Sequence, residues 1–188
     1  MLGEETKKVL SHFAERAKID SQKNLKRRNK VVSGRLINSI DYDLKVHPNS
    51  FSLTFEMEDY GLFVDAGVEG IGGKKADGTS WKKKHVTYSS LFGKKLSYKG
   101  NMKSSNGRFL QSLNGWTIKR SIAPRDKDGK FMKRRGLIYA IRKSIFHTGI
   151  ETTKFFTKPF EKEFKELPDE LIEAYALDVD DFLEFTIK

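Results

Sequence analysis

Tyr42-Asp43-Leu44-Lys45-Val46-His47-Pro48-Asn49-Ser50-Phe51-Ser52-Leu53-Thr54-Phe55-Glu56 is the stretch that decides the fold. Tyr42, Leu44 and Val46 alternate with Asp43 and Lys45, then Phe51, Leu53 and Phe55 alternate with Ser52, Thr54 and Glu56. A period of two puts every apolar residue of a strand on one face. Pro48-Asn49 between the runs supplies turn chemistry. The stretch therefore predicts an antiparallel hairpin with one apolar face, and that face needs a cover.

The cover lies upstream. Val9, Leu10, Phe13, Ala14 and Ala17 recur at helical spacing, and Leu25 follows two turns on. Residues 4–28 are predicted to be a helix with one apolar stripe. It closes on Lys26-Arg27-Arg28, cations that suit the negative end of a helix dipole. Ser33-Gly34 marks a turn, and Leu36, Ile37 and Ile40 form a short apolar patch before the hairpin.

Downstream, Asp59 to Gly67 predicts a single helical turn with Tyr60, Phe63 and Val64 on one face. Gly67 suits the left-handed position that ends such a turn. As a surface turn, its strain on substitution is about 1–3 kcal/mol. Residues 71–107 carry six Gly, six Ser and nine Lys or Arg, with scattered apolar residues. That composition buries too little to offset the entropy of ordering, so a basic mobile loop is expected. Phe109, Leu110, Leu113 and Trp116, then Leu137, Ile138, Ile141, Ile145 and Phe146, predict a basic helical insertion over 108–150. Phe160, Phe164, Leu167, Leu171, Tyr175, Val179 and Phe182 predict acidic C-terminal helices over 151–188, restarted at Pro168. With residues 1–70 as helix plus hairpin, the fold class is α+β: a long N-terminal helix on a small antiparallel sheet, C-terminal helices and a long basic insertion.

Charge divides the chain along the same lines. The formal net charge is +11, yet residues 1–70 hold 11 basic and 11 acidic side chains. Residues 71–149 hold 20 basic and 3 acidic, and residues 150–188 hold 5 basic and 11 acidic. The positive middle of one copy and the negative tail of another are natural complements. No cysteine is present, which excludes a disulfide scaffold and a Cys nucleophile. No apolar run approaches the roughly 18 residues of a membrane span, and residues 1–6 lack the pattern of a signal peptide, so a soluble chain made in the cytoplasm is expected.

Catalytic and metal patterns fail one by one. His12, His47, His85 and His147 are scattered, and none has another ligand type at helical spacing. Asp126-Lys127-Asp128-Gly129 begins like a calcium loop, but its Gly falls at the fourth position and no terminal Glu follows. Asp178-Val179-Asp180-Asp181 reads as a solvated polar face. In the phosphate-loop frame ending at Lys74, Val68 and Lys75 occupy the wrong positions. Glu56, Glu58, Asp59, Asp65 and Glu69 concentrate acid without a histidine partner. No cofactor is expected, and the chain is read as not an enzyme.

The strongest chemical signal is the interleaving of cations and aromatics in residues 74–103. Lys74, Lys75, Trp81, Lys82, Lys83, Lys84, Lys94, Lys95, Tyr98 and Lys99 are candidate contacts to DNA or to a protein partner. Such a surface can hold phosphate backbone and stack bases. Equally, its charges can prevent aggregation while its rings seat against a neighbour.

Three segments in order resemble the tail-completion, or head–tail joining, proteins of tailed bacteriophages. Ser33-Gly34-Arg35-Leu36-Ile37-Asn38-Ser39-Ile40 is similar to the family's Ser/Thr-Gly-x-Leu-x-x-Ser-Ile stretch after its first helix. Tyr60-Gly61-Leu62-Phe63-Val64-Asp65-Ala66-Gly67 resembles its Tyr-Ala/Gly-x-aromatic-Val-Glu/Asp-x-Gly stretch after the hairpin, with Val68 where the family has Thr. Lys158-Pro159-Phe160 resembles its last-helix opening. Residues 71–150 have no counterpart beyond a short loop, an insertion that resembles those of short-tailed, crAss-like phages. The resemblance implies a virion subunit in a ring of its own copies, joining portal and adjacent tail proteins around the DNA channel. It implies no membrane partner, no cofactor and no catalytic residue; contact with packaged DNA would be nonspecific. The alternative is a standalone nucleic-acid-binding protein using residues 74–103.

Overall fold

The computed structural model describes residues 3–47, 50–86, 96–97, 107–126 and 128–187. Its elements are α1 (Glu4–Arg27), α2 (Arg35–Ser39), β1 (Asp41–His47), β2 (Ser50–Glu56), α3 (Gly61–Ala66), β3 (Val68–Glu69), α4 (Gly107–Lys119), α5 (Arg134–Thr148), β4 (Gly149–Ile150), α6 (Thr157–Phe164) and α7 (Leu167–Ile187). They fall into two compact units, Met1–Gly61 with Lys154–Lys188, and Leu62–Thr153. The insertion expected over 71–150 lies inside the second.

The first unit is α+β. β1 and β2 pair antiparallel, with Tyr42 opposite Phe55, Leu44 opposite Leu53 and Val46 opposite Phe51. Tyr42, Leu44, Leu53 and Phe55 are half-buried while Asp43, Lys45, Ser52 and Thr54 face water, as the alternation requires. The hairpin's far end departs from that pattern: Val46 and Phe51 are exposed, because the helical cover stops short of them. The turn at Pro48-Asn49 lies outside the described residues.

The stripe of α1 closes this sheet. Leu10 and Phe13 form the core with Leu167, and Val9, Leu44, Leu53, Phe55, Phe160 and Leu171 pack around them. Phe13 meets Phe55 and Phe160 edge to face at ring-centroid distances of 6.3 and 5.6 Å. Phe160 in turn contacts Phe55 at 5.8 Å and stacks on Phe156 and Phe164 at 5.9 and 5.7 Å. Aromatic pairs in such geometry contribute about 0.5–1.5 kcal/mol each beyond their area. Arg16 fastens α1 to both C-terminal helices: its Nε lies 2.9 Å from Glu163 on α6 and its Nη2 lies 2.9 Å from Glu170 on α7. Glu163 is buried, and its carboxylate is paired there by Arg16 and by Lys162 at 2.7 Å.

α2 is the apolar patch of the sequence wound into a short helix that buries Leu36 and Ile37. Gly34 precedes it with φ +78°, a left-handed conformation. The Gln22 side-chain amide donates to Ile37 O at 3.0 Å, tying α2 to α1.

The second unit holds β3 and β4, paired antiparallel with Val68 opposite Ile150 and Glu69 opposite Gly149. Thr153 seals this pairing by donating its backbone N–H and its hydroxyl to Val64 O at 3.3 and 2.6 Å. α4 packs on α5, burying Leu113 and Ile138. Gly67 has φ +76°, as the sequence predicts. It is not a surface turn, however. A Cβ at Gly67 would stand 2.6 Å from Ile150 O and 2.7 Å from Thr152 N, so the glycine is needed for close backbone approach as well as for its φ. On α3, Asp65 and Ala66 are buried while Phe63 remains 46% exposed; Tyr60, which precedes the helix in the first unit, is 41% exposed.

Candidate interaction surfaces

Residues 71–86, expected to be part of a mobile loop, form irregular but hydrogen-bonded chain on the end of α5. Ile71 N–H and Gly72 N–H donate to Phe146 O and His147 O at 3.1 and 2.9 Å, and Lys84 N–H donates to Thr148 O at 2.7 Å. Lys74 and Ser80 bridge antiparallel around a tight turn at Asp77-Gly78, where the Asp77 carboxylate accepts the Thr79 hydroxyl at 2.6 Å and its N–H at 2.9 Å. Those two bonds, hydroxyl first, hold Asp77 below the usual carboxylate range.

Trp81 lies across this ribbon. Its ring stacks on His147 at 5.1 Å with an interplanar angle of 8°, and Lys75 Nζ stands 5.2 Å from its centroid. His147 Nδ1 lies 2.6 Å from Gly72 O. A carbonyl only accepts, so Nδ1 carries the proton and donates. The Trp81 indole N–H is buried and meets no acceptor among the described residues. The ring is thus a structural clasp, with one face already taken by His147.

Lys74, Lys75, Lys82, Lys83 and Lys84 are exposed along the ribbon, and Lys83 pairs with Glu69 at 3.2 Å. Lys94, Lys95, Tyr98 and Lys99 lie outside the described residues. The structure therefore brings the first half of the candidate basic surface together on one ribbon.

A second basic surface escaped the sequence reading. Between α4 and α5 lies an open cleft of about 420 Å³ lined by Leu110, Asn114, Arg134, Arg135, Ile138 and Tyr139. Arg135 stands 5.7 Å from the Tyr139 ring centroid. Nearby in sequence, Arg125 lies 4.0 Å from the Phe131 ring, yet Phe131 remains 70% exposed. Its signal in the sequence is Arg135 four residues before Tyr139, one helical turn, outside the lysine-rich stretch.

In the first unit, the residues shared with the resembled family build framework. Leu36 and Ile40 are buried, and Gly61 is buried with its N–H donating to Glu58 O at 2.7 Å. Pro159 is buried and Phe160 occupies the aromatic cluster. Ser33 is exposed, its Oγ accepting the Arg35 N–H at 3.4 Å. In the second unit, Val64 is half-buried. Tyr60 is held beside the Arg35–Glu58 pair; burial first, then the Glu58 charge, raise its phenol above the usual value.

Among the described residues no three His, Asp or Glu side chains are grouped to hold a metal ion, and no helix is long and apolar enough to cross a membrane. Comparison of the chain with protein-family models, with curated proteins and with solved structures yields no match.

Proposed function

We propose that the chain is a structural, non-catalytic subunit of a multi-chain assembly: a component of a phage neck ring that joins portal to tail around the DNA channel. One observation carries the assembly reading. Large apolar side chains stand in water on both units, including Phe131, Met132 and Tyr139 on the second and Ile172, Tyr175 and Leu177 on the first. Phe131 and Met132 are adjacent and Ile172 and Tyr175 share a helix face, and exposed apolar patches mark sites that other molecules cover. The neck assignment adds the order of the three family-like motifs around the helix and hairpin. Co-expression with candidate portal and tail proteins tests it: the chain should co-purify with at least one of them through high-salt washing. Its recovery alone from every pairing contradicts the neck role.

The second reading, a nucleic-acid binder using residues 74–103, is favoured by the exposed lysines of the ribbon. It is weakened at Trp81, whose ring is stacked internally rather than offered to bases. Submicromolar binding of free DNA by the lone chain at physiological salt would favour this second reading.

A further inference from the structure

α7 carries an uncovered stripe. Ile172, Tyr175 and Val179 fall at i, i+3 and i+7, one face of the helix spanning roughly 10 Å, and all three are exposed, Ile172 at 68%. Leu167, Leu171 and Ala174, on the adjoining face of the helix, hold it against the first unit's interior. Beside the stripe run Asp169, Glu173 and Asp180, exposed and without a cationic partner among the described residues. The α4–α5 cleft has the complementary character. Leu110 and Ile138 line it together with Arg134 and Arg135, and neither arginine forms an ion pair with a carboxylate among the described residues.

We propose that copies of this chain join head to tail, the α7 stripe of one seated in the α4–α5 cleft of the next. The occupant is argued from charge. The cleft belongs to the segment with 20 basic and 3 acidic side chains, and the stripe to the segment with 5 basic and 11 acidic. Like surfaces of two copies would repel, so a self-complementary pairing of either surface with itself is disfavoured. The two contacting surfaces differ, which makes the interface heterologous, and a heterologous interface closes into a ring or runs on as a filament. The apolar stripe supplies the buried centre, and the carboxylates meet the arginines at the rim. This deepens the assembly reading by naming the surfaces that join copies.

Charge reversal tests it on the full chain. One variant carries Arg134→Glu and Arg135→Glu; another carries Glu173→Lys and Asp180→Lys. All four positions lie outside the core, and circular dichroism checks that both variants fold. In sedimentation across a concentration series, wild type should associate, each variant alone should be monomeric, and an equimolar mixture of the two should associate again. Monomeric wild type throughout the series overturns the proposal. So do variants that associate alone as wild type does, or a mixture that stays monomeric. Failure of the neck role would look different: the mixture would still rescue self-association while portal and tail proteins went unbound.

Discussion

Asp178, on α7, caps the first turn of α1: its carboxylate accepts the backbone N–H groups of Glu5 and Thr6 at 3.1 and 3.0 Å. α1 has no side-chain cap of its own at Gly3, so a residue near the far end of the chain satisfies donors that would otherwise be orphaned. Burial raises the Asp178 carboxyl, but the Thr6 hydroxyl and the N–H groups of Thr6, Glu5 and Gly3 outweigh it, and its pKa is lowered below the usual carboxylate value.

Asp178→Ala should therefore destabilise the chain by about 0.5–2 kcal/mol, the usual cost of losing a helix cap. The effect has a pH signature. A depressed pKa contributes stability that is present above the unfolded value, near 3.8, and is lost as pH falls through the folded value. Urea midpoints of wild type and variant should differ at pH 7 and converge below pH 4. A difference that persists undiminished in acid contradicts the cap.

Phe160→Ala removes the ring that joins Phe13, Phe55, Phe156 and Phe164. The expected cost is at the lower end of the about 3–5 kcal/mol of buried aromatic truncations, because Phe160 is half-buried. Thermal unfolding measures it; a loss under 1 kcal/mol would show that the cluster rearranges to fill the space.

Gly67→Val would meet the backbone at Ile150 and Thr152 and force a β-branched residue to a positive φ. It should cost more than the 1–3 kcal/mol of a lone strained turn. Hydrogen exchange at Thr153 should accelerate, because its amide donates to Val64 O and Asp65 O beside the backbone that the valine would push apart. Unchanged protection would contradict the close approach.

Trp81→Phe keeps an aromatic ring against His147 and removes an N–H that lacks an acceptor among the described residues. Removing a buried unpaired donor is neutral or stabilising, whereas Trp81→Ala also loses the stack and the packing. The phenylalanine variant should melt at or above wild type and the alanine variant below it. A phenylalanine variant as unstable as the alanine one would show that the indole N–H is bonded after all.

The helices and the hairpin were legible because each carries its own period: α1 through Leu10, Phe13, Ala14 and Ala17, the hairpin through Leu44 and Leu53. Gly67 announced a positive φ but not its burial, since the backbone it approaches lies more than eighty residues away. The β3–β4 pair was invisible for a related reason. Two residues per strand, one of them Gly149, are too few to show alternation. Asp178 looked like part of a solvated face because its partners sit at the other end of the chain. Of the candidate surfaces, the lysine ribbon could be read from composition. The α4–α5 cleft could not, since a cleft arises only when Leu110 and Ile138 are brought together by helix packing.

The most direct measurement of the assembly claim is native mass spectrometry of the chain mixed with candidate portal and tail proteins at physiological salt, with DNA absent. The account predicts a complex holding several copies of this chain with at least one of those partners, formed without nucleic acid. A chain that stays at its monomer mass of 21.6 kDa with every partner, and enters a complex only when DNA is added, would contradict it.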